Sequence, residues 1–353
     1  MRCFCTVVSR SHLRPALALA VSLQVSGNGE ILHVLVIDAT GLDLPLPVSG
    51  IEFHSLDEVR SEIPELLPHY FDAFELCNAL KPFLVTLLFD LGAEAVIYLD
   101  SDIFAVGSFA PVWSALESHP VLLTPHLLQP PPLDLVYTNE VGIVDQGVYN
   151  GGFTAWRHCP ETNRVLKWMC ERFVRYGFHD RPNGLFVDQK LLPLVADYYS
   201  DDIWIWRELT VNIAFWNVHE RPVAIANKVY SVDEQPVIFF HLSGFRFERP
   251  DVPCTYLPPA ANANILSIAP WLSDVMTNYR DLIASIPNPP PPAEYLFAKY
   301  DGFVLIPGLR RIIFKTGKLS RRDPEVLQVL LIYRLKLIKR RLIALWKITA
   351  LRC

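Results

Sequence analysis

The feature that most constrains this chain is a set of short, nearly continuous apolar runs that alternate with helix-like stretches. Cys5-Thr-Val-Val leads into a helical pattern over Pro15–Leu23, and Ile31–Ile37 ends at Asp38. Ala79–Leu91 reads as a helix, followed by the buried run Ala95-Val-Ile-Tyr-Leu99. Strands that are apolar on both faces and alternate with helices predict a mostly parallel sheet covered on both sides. In such sheets ligands gather beyond the carboxyl ends of the strands. The residues directly after Leu99 are therefore the first place to look for chemistry.

Composition bounds the reading further. Of 353 residues about half (51%) are hydrophobic and 20% charged, enough for a large core and incompatible with global disorder. The net charge of −5 is a sum of unlike parts. From Gly308 onward 13 Lys+Arg face only Asp323 and Glu325, a balance of +11, which leaves 19 basic and 35 acidic residues, or −16, in the body. An acidic body argues against a general nucleic-acid binder, and no nucleic-acid partner is expected. Seven cysteines, an odd number with no Cys-x-x-Cys, suggest neither a disulfide scaffold nor a zinc cluster and point to a reducing compartment. Cys3 and Cys5 read as alternate residues of a first strand rather than as metal ligands. Ala16–Val25 faintly resembles a signal-peptide core, but a strand followed by a helix accounts for it. No run of about 18 apolar residues predicts a spanning helix.

Four motifs stand where chemistry is expected. Asp100-Ser101-Asp102 places two carboxylates at the exit of a fully apolar strand, where both can address one divalent cation. Alone, such a pair is also a common solvated turn. Tyr149-Asn150-Gly151-Gly152 lies between apolar residues and suggests close approach of backbone to a ligand, or simply a strand bend. Phe239-Phe240-His241 delivers one histidine before the glycine turn at Gly244. Asp188-Gln189 follows an apolar run, and the bland account of Asp188 is a helix N-cap. The proline-marked stretch Gln129–Val144 has the usual form of a lid or acceptor loop.

Taken in order from Cys5 to about Phe247, these pieces resemble the GT-A-fold glycosyltransferases of the family-8-like kind, the nucleotide-diphospho-sugar transferases. The resemblance implies an α/β fold, a GT-A-like mostly parallel mixed sheet flanked by helices, here with a C-terminal helical basic tail. It implies metal-dependent transfer of a sugar from a nucleoside diphosphate sugar, a UDP-sugar as first choice, to an acceptor hydroxyl with retention of configuration. By position it implies Asp100, Asp102 and His241 as ligands of Mn²⁺ or Mg²⁺, with Asp100 shared with the donor ribose. Thr6, taken to stand at the first strand's exit, would lie by the nucleotide base and ribose. Lys81 would address the donor, Asn150 and Gly151 would line the donor sugar, and Asp188 and Gln189 would lie beside sugar and acceptor. The family's Lys-Pro-Trp group is replaced here by Phe245-Arg246-Phe247-Glu248-Arg249-Pro250, with Arg246 or Arg249 as substitutes for its charge.

Two other classes remain alongside. A haloacid-dehalogenase-like phosphatase also uses Asp-x-Asp after an apolar strand, with Asp201-Asp202 as a later acidic pair, although Phe104 stands where Thr or Val is usual. A non-catalytic nucleotide-sugar-binding protein is the other.

Three segments are expected: a glycosyltransferase domain over 1–260, a helical extension with a proline-rich linker over 261–307, and a basic amphipathic helical tail over 308–353. After Asp323-Pro324 the chain reads as one helix. Leu327, Leu331, Leu335, Ile338, Leu342 and Leu345 form a narrow apolar stripe bordered by Arg334, Lys339 and Arg341. Such a helix fits an anionic membrane surface, reached through 325–353, or else packs on the body or a second subunit. The expected placement is cytoplasmic, peripheral on the inner membrane face, with a glycan or lipid-linked acceptor.

Overall fold

A computed structural model describes residues 1–39, 49–227, 229–287 and 294–350. The apolar runs become strands: β1 (Arg2–Val8), β2 (Leu32–Val36), β3 (Ile51–Ser55), β4 (Ala95–Leu99), β5 (Ile103–Ala105), β6 (Val121–Pro125) and β7 (Tyr149–Arg157). With the short strand Ile203–Ile205 they form a seven-stranded sheet in the order Ile203–Ile205, β6, β7, β4, β1, β2, β3, from which β5 is excluded. Every neighbouring pair is parallel except those of β7, which runs antiparallel between β4 and β6. The expected architecture is present: a mostly parallel mixed sheet flanked by helices.

Strand periodicity divides the core in two. Val96 and Tyr98 of β4 join Cys3, Cys5 and Leu35 on one face, covered by helices Lys81–Asp90 and Pro160–Tyr176. Ile97 and Leu99 join Phe4, Val34 and Phe153 on the other, covered by helices Leu13–Val25 and Ala110–Ser118. Each large apolar side chain so buried contributes about 1.5–3 kcal/mol. Helices Pro259–Ile268 and Leu272–Ser285 pack with Tyr230, Phe240 and Leu242 in a third cluster, so the extension expected from residue 261 folds onto the sheet domain.

Strand order reverses at β1: β2 and β3 extend to one side and β4 begins the other. The crevice beyond the carboxyl ends of β1 and β4 is thus the topological switch point. The helix expected over Ala79–Leu91 is split there into Ala73–Ala79 and Lys81–Asp90. Pro82 has no N–H to continue the ladder, so the break falls at Leu80 and puts Lys81 in a first turn.

Helix Pro307–Thr316 is part of the body. Leu309, Ile312 and Ile313 are buried in the first cluster, and the Arg310 guanidinium donates to the carbonyls of His69, Phe71 and Phe297. A boundary at Gly308 therefore cuts through a docked unit, because part of the charge counted as tail serves internal hydrogen bonds. Helix Pro324–Ala350 starts where expected; its first turns are anchored by Val326, Val329 and Leu330. Leu327, Leu331, Leu335 and Ile338 of the stripe are all exposed. The side chains of Leu342 and Leu345, and residues 288–293 of the proline-rich linker, lie outside the described residues, as do 351–353.

Candidate active and metal site

The backbone explains how His241 reaches the acidic pair. The chain turns at Asp100, where the Ile103 amide donates to the Asp100 carbonyl. β5 then pairs antiparallel with strand Phe239–His241, setting His241 opposite Ile103, and the Leu242 amide donates to the Asp102 carbonyl. His241 Nε2 lies 3.2 Å from Asp102 Oδ1, and its Nδ1 lies 3.1 Å from Asn212 Oδ1. Asn212 accepts from Nδ1–H, which directs the other nitrogen toward the carboxylates. Asn212 itself is fully buried at φ 53°, its carbonyl held by Asn217 Nδ2 at 2.9 Å.

One ligand atom each from Asp100, Asp102 and His241 falls within a 4.8 Å span. Two carboxylates and one neutral imidazole suit Mn²⁺ or Mg²⁺, and the side chain of Asp102 is 38% exposed while that of His241 is 4% exposed, so the set opens on one side. The residues present thus fit a divalent cation. The surrounding protein opposes ionisation of both groups, but their mutual attraction outweighs it, holding Asp102 below and His241 above the ordinary values.

A second network adjoins the first through Asp100. Lys81, only 7% exposed, donates to Asp188 Oδ2 at 3.0 Å, Asp100 Oδ1 at 3.3 Å and the Gly151 carbonyl at 2.9 Å. Burial works against its charge, and the two carboxylates more than restore it. All three ammonium hydrogens are taken by protein acceptors, so Lys81 here positions the carboxylates rather than reaching out to a donor. Asp188 is buried, which raises its pKa against the pull of Lys81; its carboxylate is committed to this pair and does not cap a helix. Tyr98 donates to Asp100 Oδ1 at 2.8 Å.

The glycines of the Asn-Gly-Gly motif have a steric reason. A Cβ on Gly151 would sit 2.5 Å from Asp188 Oδ2, and one on Gly152 would sit 2.4 Å from His241 Cε1 and 2.9 Å from Asp100 Oδ2. The backbone must pass between the two networks, and only glycine leaves room. Asn150 Oδ1 accepts from the Gly152 amide at 2.9 Å, and Gln189 Oε1 accepts from the Gly151 amide at 3.0 Å. Asn150 Nδ2 donates to His126 Nε2 at 3.1 Å, while His126 Nδ1–H donates to the Val148 carbonyl at 3.2 Å. Burial pushes the His126 pKa down to about 4, so the ring stays a neutral acceptor.

Eight of the residues singled out in the sequence come together here: Lys81, Asp100, Asp102, Asn150, Gly151, Asp188, Gln189 and His241. Thr6 does not stand at a strand exit. β1 continues to Val8, and Thr6 is wholly buried, its hydroxyl without a partner among the described residues. The exit is occupied instead by the Arg10 amide, which donates to Asp38 Oδ1 at 2.7 Å, and by His12, which lies within the fields of Asp38, Asp102 and Arg246. His126 and Asp38 share the signal that exposed Asp100, a polar residue following an apolar run. Asn212 and Tyr98 had no comparable signal. The acidic pair of the phosphatase reading is elsewhere: Asp202 pairs with Arg164 at 3.2 Å, just before strand Ile203–Ile205. That strand is parallel to β6, so its start lies at the opposite edge of the sheet from the exit of β4.

No protein-family model matches the chain. Two proteins of Bacillus subtilis (strain 168) resemble it: YfnF, 24% identical over 250 residues (69% of this chain, 81% of the relative), and YfnD, 25% identical over 297 residues (79% and 92%). Both are described as uncharacterized. Glycosyltransferases are among the solved structures it resembles. The galactosyltransferase LgtC, in complex with donor and acceptor sugar analogs, shares 15% identity at a TM-score of 0.45 over 82% of this chain and 98% of its own. The glycosyltransferase GlyE of Streptococcus pneumoniae shares 13% at a TM-score of 0.42, over 80% and 62%. At that level of overlap, this chain's own strand order and side-chain geometry decide what the crevice can do.

Proposed function

We propose that the protein is a metal-dependent glycosyltransferase that moves a sugar from a nucleoside diphosphate sugar to an acceptor hydroxyl. The observation that supports it most is the convergence of Asp100, Asp102 and His241 within 4.8 Å at the switch point of the sheet. When bound there, Mn²⁺ or Mg²⁺ would neutralise charge on the departing diphosphate. Arg246, whose charge reaches His12 at the exit of β1, would add positive charge toward the phosphates. Asn150 and Gln189, each accepting from a backbone amide, would give the sugar side of the crevice a fixed polar lining. Preorganised polar groups of this kind stabilise developing charge without having to reorient.

Retention is the reading that fits the residues. An inverting enzyme needs a carboxylate free to take the acceptor proton, and Asp188, the best candidate, is held by Lys81. A leaving phosphate oxygen can take that proton in a same-face displacement. We infer UDP as the carrier from the resemblance.

The acceptor is proposed to be lipid-linked or membrane-proximal. The stretch after β6 presents exposed Leu133, Val136, Val141 and Val144 beside the site, and its base is pinned where Glu220 accepts from the amides of Leu128 and Gln129. The tail adds an exposed apolar stripe with basic borders, a pattern suited to lying on an anionic surface. No helix among the described residues is long and apolar enough to cross a membrane. We propose on the strength of that stripe that the protein is cytoplasmic and held peripherally on the inner membrane face.

The test is thermal stabilisation by UDP, GDP and TDP, each with and without Mn²⁺. A rise in Tm with one nucleoside diphosphate that requires Mn²⁺ supports the reading. Equal response to all three, or none to any, contradicts it.

A further inference from the structure

A second histidine–carboxylate cluster lies outside the crevice, on β2 and β3. The two strands pair in parallel with His33 opposite Glu52 and Leu35 opposite His54. Residues 52 and 54 share a face of β3, and His33 and Leu35 share a face of β2, so all three polar side chains point the same way. His33 Nδ1 is 2.9 Å from His54 Nε2 and 3.7 Å from Glu52 Oε2. Both rings are buried, whereas the side chain of Glu52 is 54% exposed.

Hydrogen bonding accounts for the contact of the two rings but not for Glu52, whose Oε2 stands 3.7 Å from His33 Nδ1, beyond hydrogen-bond length. Glu58 Oε2 lies 2.7 Å from His54 Nδ1, and Glu58 Oε1 accepts from the Ser55 amide at 2.7 Å as part of a helix-capping box. A carboxylate fixed in that way places the His54 proton on Nδ1 and leaves Nε2 as a lone pair. His54 Nε2, Glu52 Oε2 and His33 Nδ1 then share at most one proton between them. Glu52 is free to swing into water yet lies against the pair.

We propose that His33, Glu52 and His54 form a second divalent-cation site, of the zinc class, with Glu58 as the group that orients His54. Two imidazoles and one carboxylate are a zinc donor set, and ligand atoms about 2.0–2.1 Å from a tetrahedral ion stand about 3.4 Å apart. The observed separations of 2.9 and 3.7 Å straddle that value. The ion would tie the edge strand β3 to β2 and has no part in the sugar-transfer reading, on which this site does not depend.

The test titrates EDTA-stripped full-length protein with Zn²⁺ alone, in an Asp102→Asn background that disables the other cluster. The expected result is uptake of one zinc per chain with a rise in Tm. His54→Gln should abolish that uptake, and Glu58→Gln should weaken it by about 10–100-fold. Glu52→Gln, at a half-exposed side chain that the fold tolerates, should weaken it by at least about 10-fold and decides the matter if His54→Gln does not fold. Undiminished zinc uptake in Glu52→Gln, or none in the Asp102→Asn chain, overturns the proposal.

Discussion

Two histidine–carboxylate clusters of this chain are built by different means, and the difference separates chemistry from architecture. The cluster of Asp100, Asp102 and His241 lies where strands end, so its ligands come from a turn and from a strand outside the main sheet. It is rich in oxygen, partly open, and adjoins Lys81, Asp188 and Gln189. The cluster of His33, Glu52 and His54 lies within strands, assembled by strand parity alone, and is rich in nitrogen. Strand ends leave room for a substrate, whereas positions within strands hold neighbouring strands together.

The largest effect should come from Asp102→Asn. Turnover should fall by about three orders of magnitude, the scale on which metal and electrostatic stabilisation act. His54→Gln should leave turnover within about threefold, since its site acts on the fold alone. Equal losses in steady-state assays of the two variants would erase the distinction. Lys81→Met should then cost about 3–5 kcal/mol of stability, because it strands Asp188 and Asp100 beside each other in a buried setting. Denaturant unfolding reads this directly. A loss below about 1 kcal/mol, the scale of an exposed ion pair, would mean that Lys81 merely decorates the site.

His126 gives a pH signature to the catalytic side. Its native pKa, about 4, is depressed below the ordinary histidine value near 6.5, so the unfolded chain binds the proton first as pH falls. Stability from this ring is complete above pH 6.5 and declines by about 3 kcal/mol by pH 4. His126→Gln should flatten that part of the stability-versus-pH curve, and an unchanged slope would contradict the assignment. Gly152→Ala should be smaller still, about 1–3 kcal/mol of overpacking, with weaker Mn²⁺ binding as its new methyl presses on His241 and Asp100. The smallest effect on catalysis is expected from truncation after Leu330, which keeps the anchored turns of the last helix. Turnover of a soluble acceptor should not change, while binding to phosphatidylglycerol vesicles should be lost.

What could be read from the sequence was local. Asp100, Asp102 and His241 each follow a buried apolar run, and a polar residue in that place needs a reason within its own segment. Gly151 and Gly152 could be singled out, but their reason could not, since it is set by Asp188 and His241 arriving from far along the chain. Asn212 reaches His241 across 29 residues and carried no sign of it. Thr6 was misplaced because β1 runs two residues past it to Val8. Charge counting likewise assigns Arg310 to the tail, although its guanidinium serves carbonyls inside the body.

The central claim is that the cation cluster at the strand ends supports cleavage of a nucleoside diphosphate sugar. Release of nucleoside diphosphate from UDP-, GDP- and TDP-sugars, followed with and without Mn²⁺ in the wild type and in Asp102→Asn, tests it most directly. The expected result is release from one donor class, only with the cation, and lost in the variant. Release that ignores Mn²⁺ and survives Asp102→Asn, or none from any donor in the wild type, would contradict it.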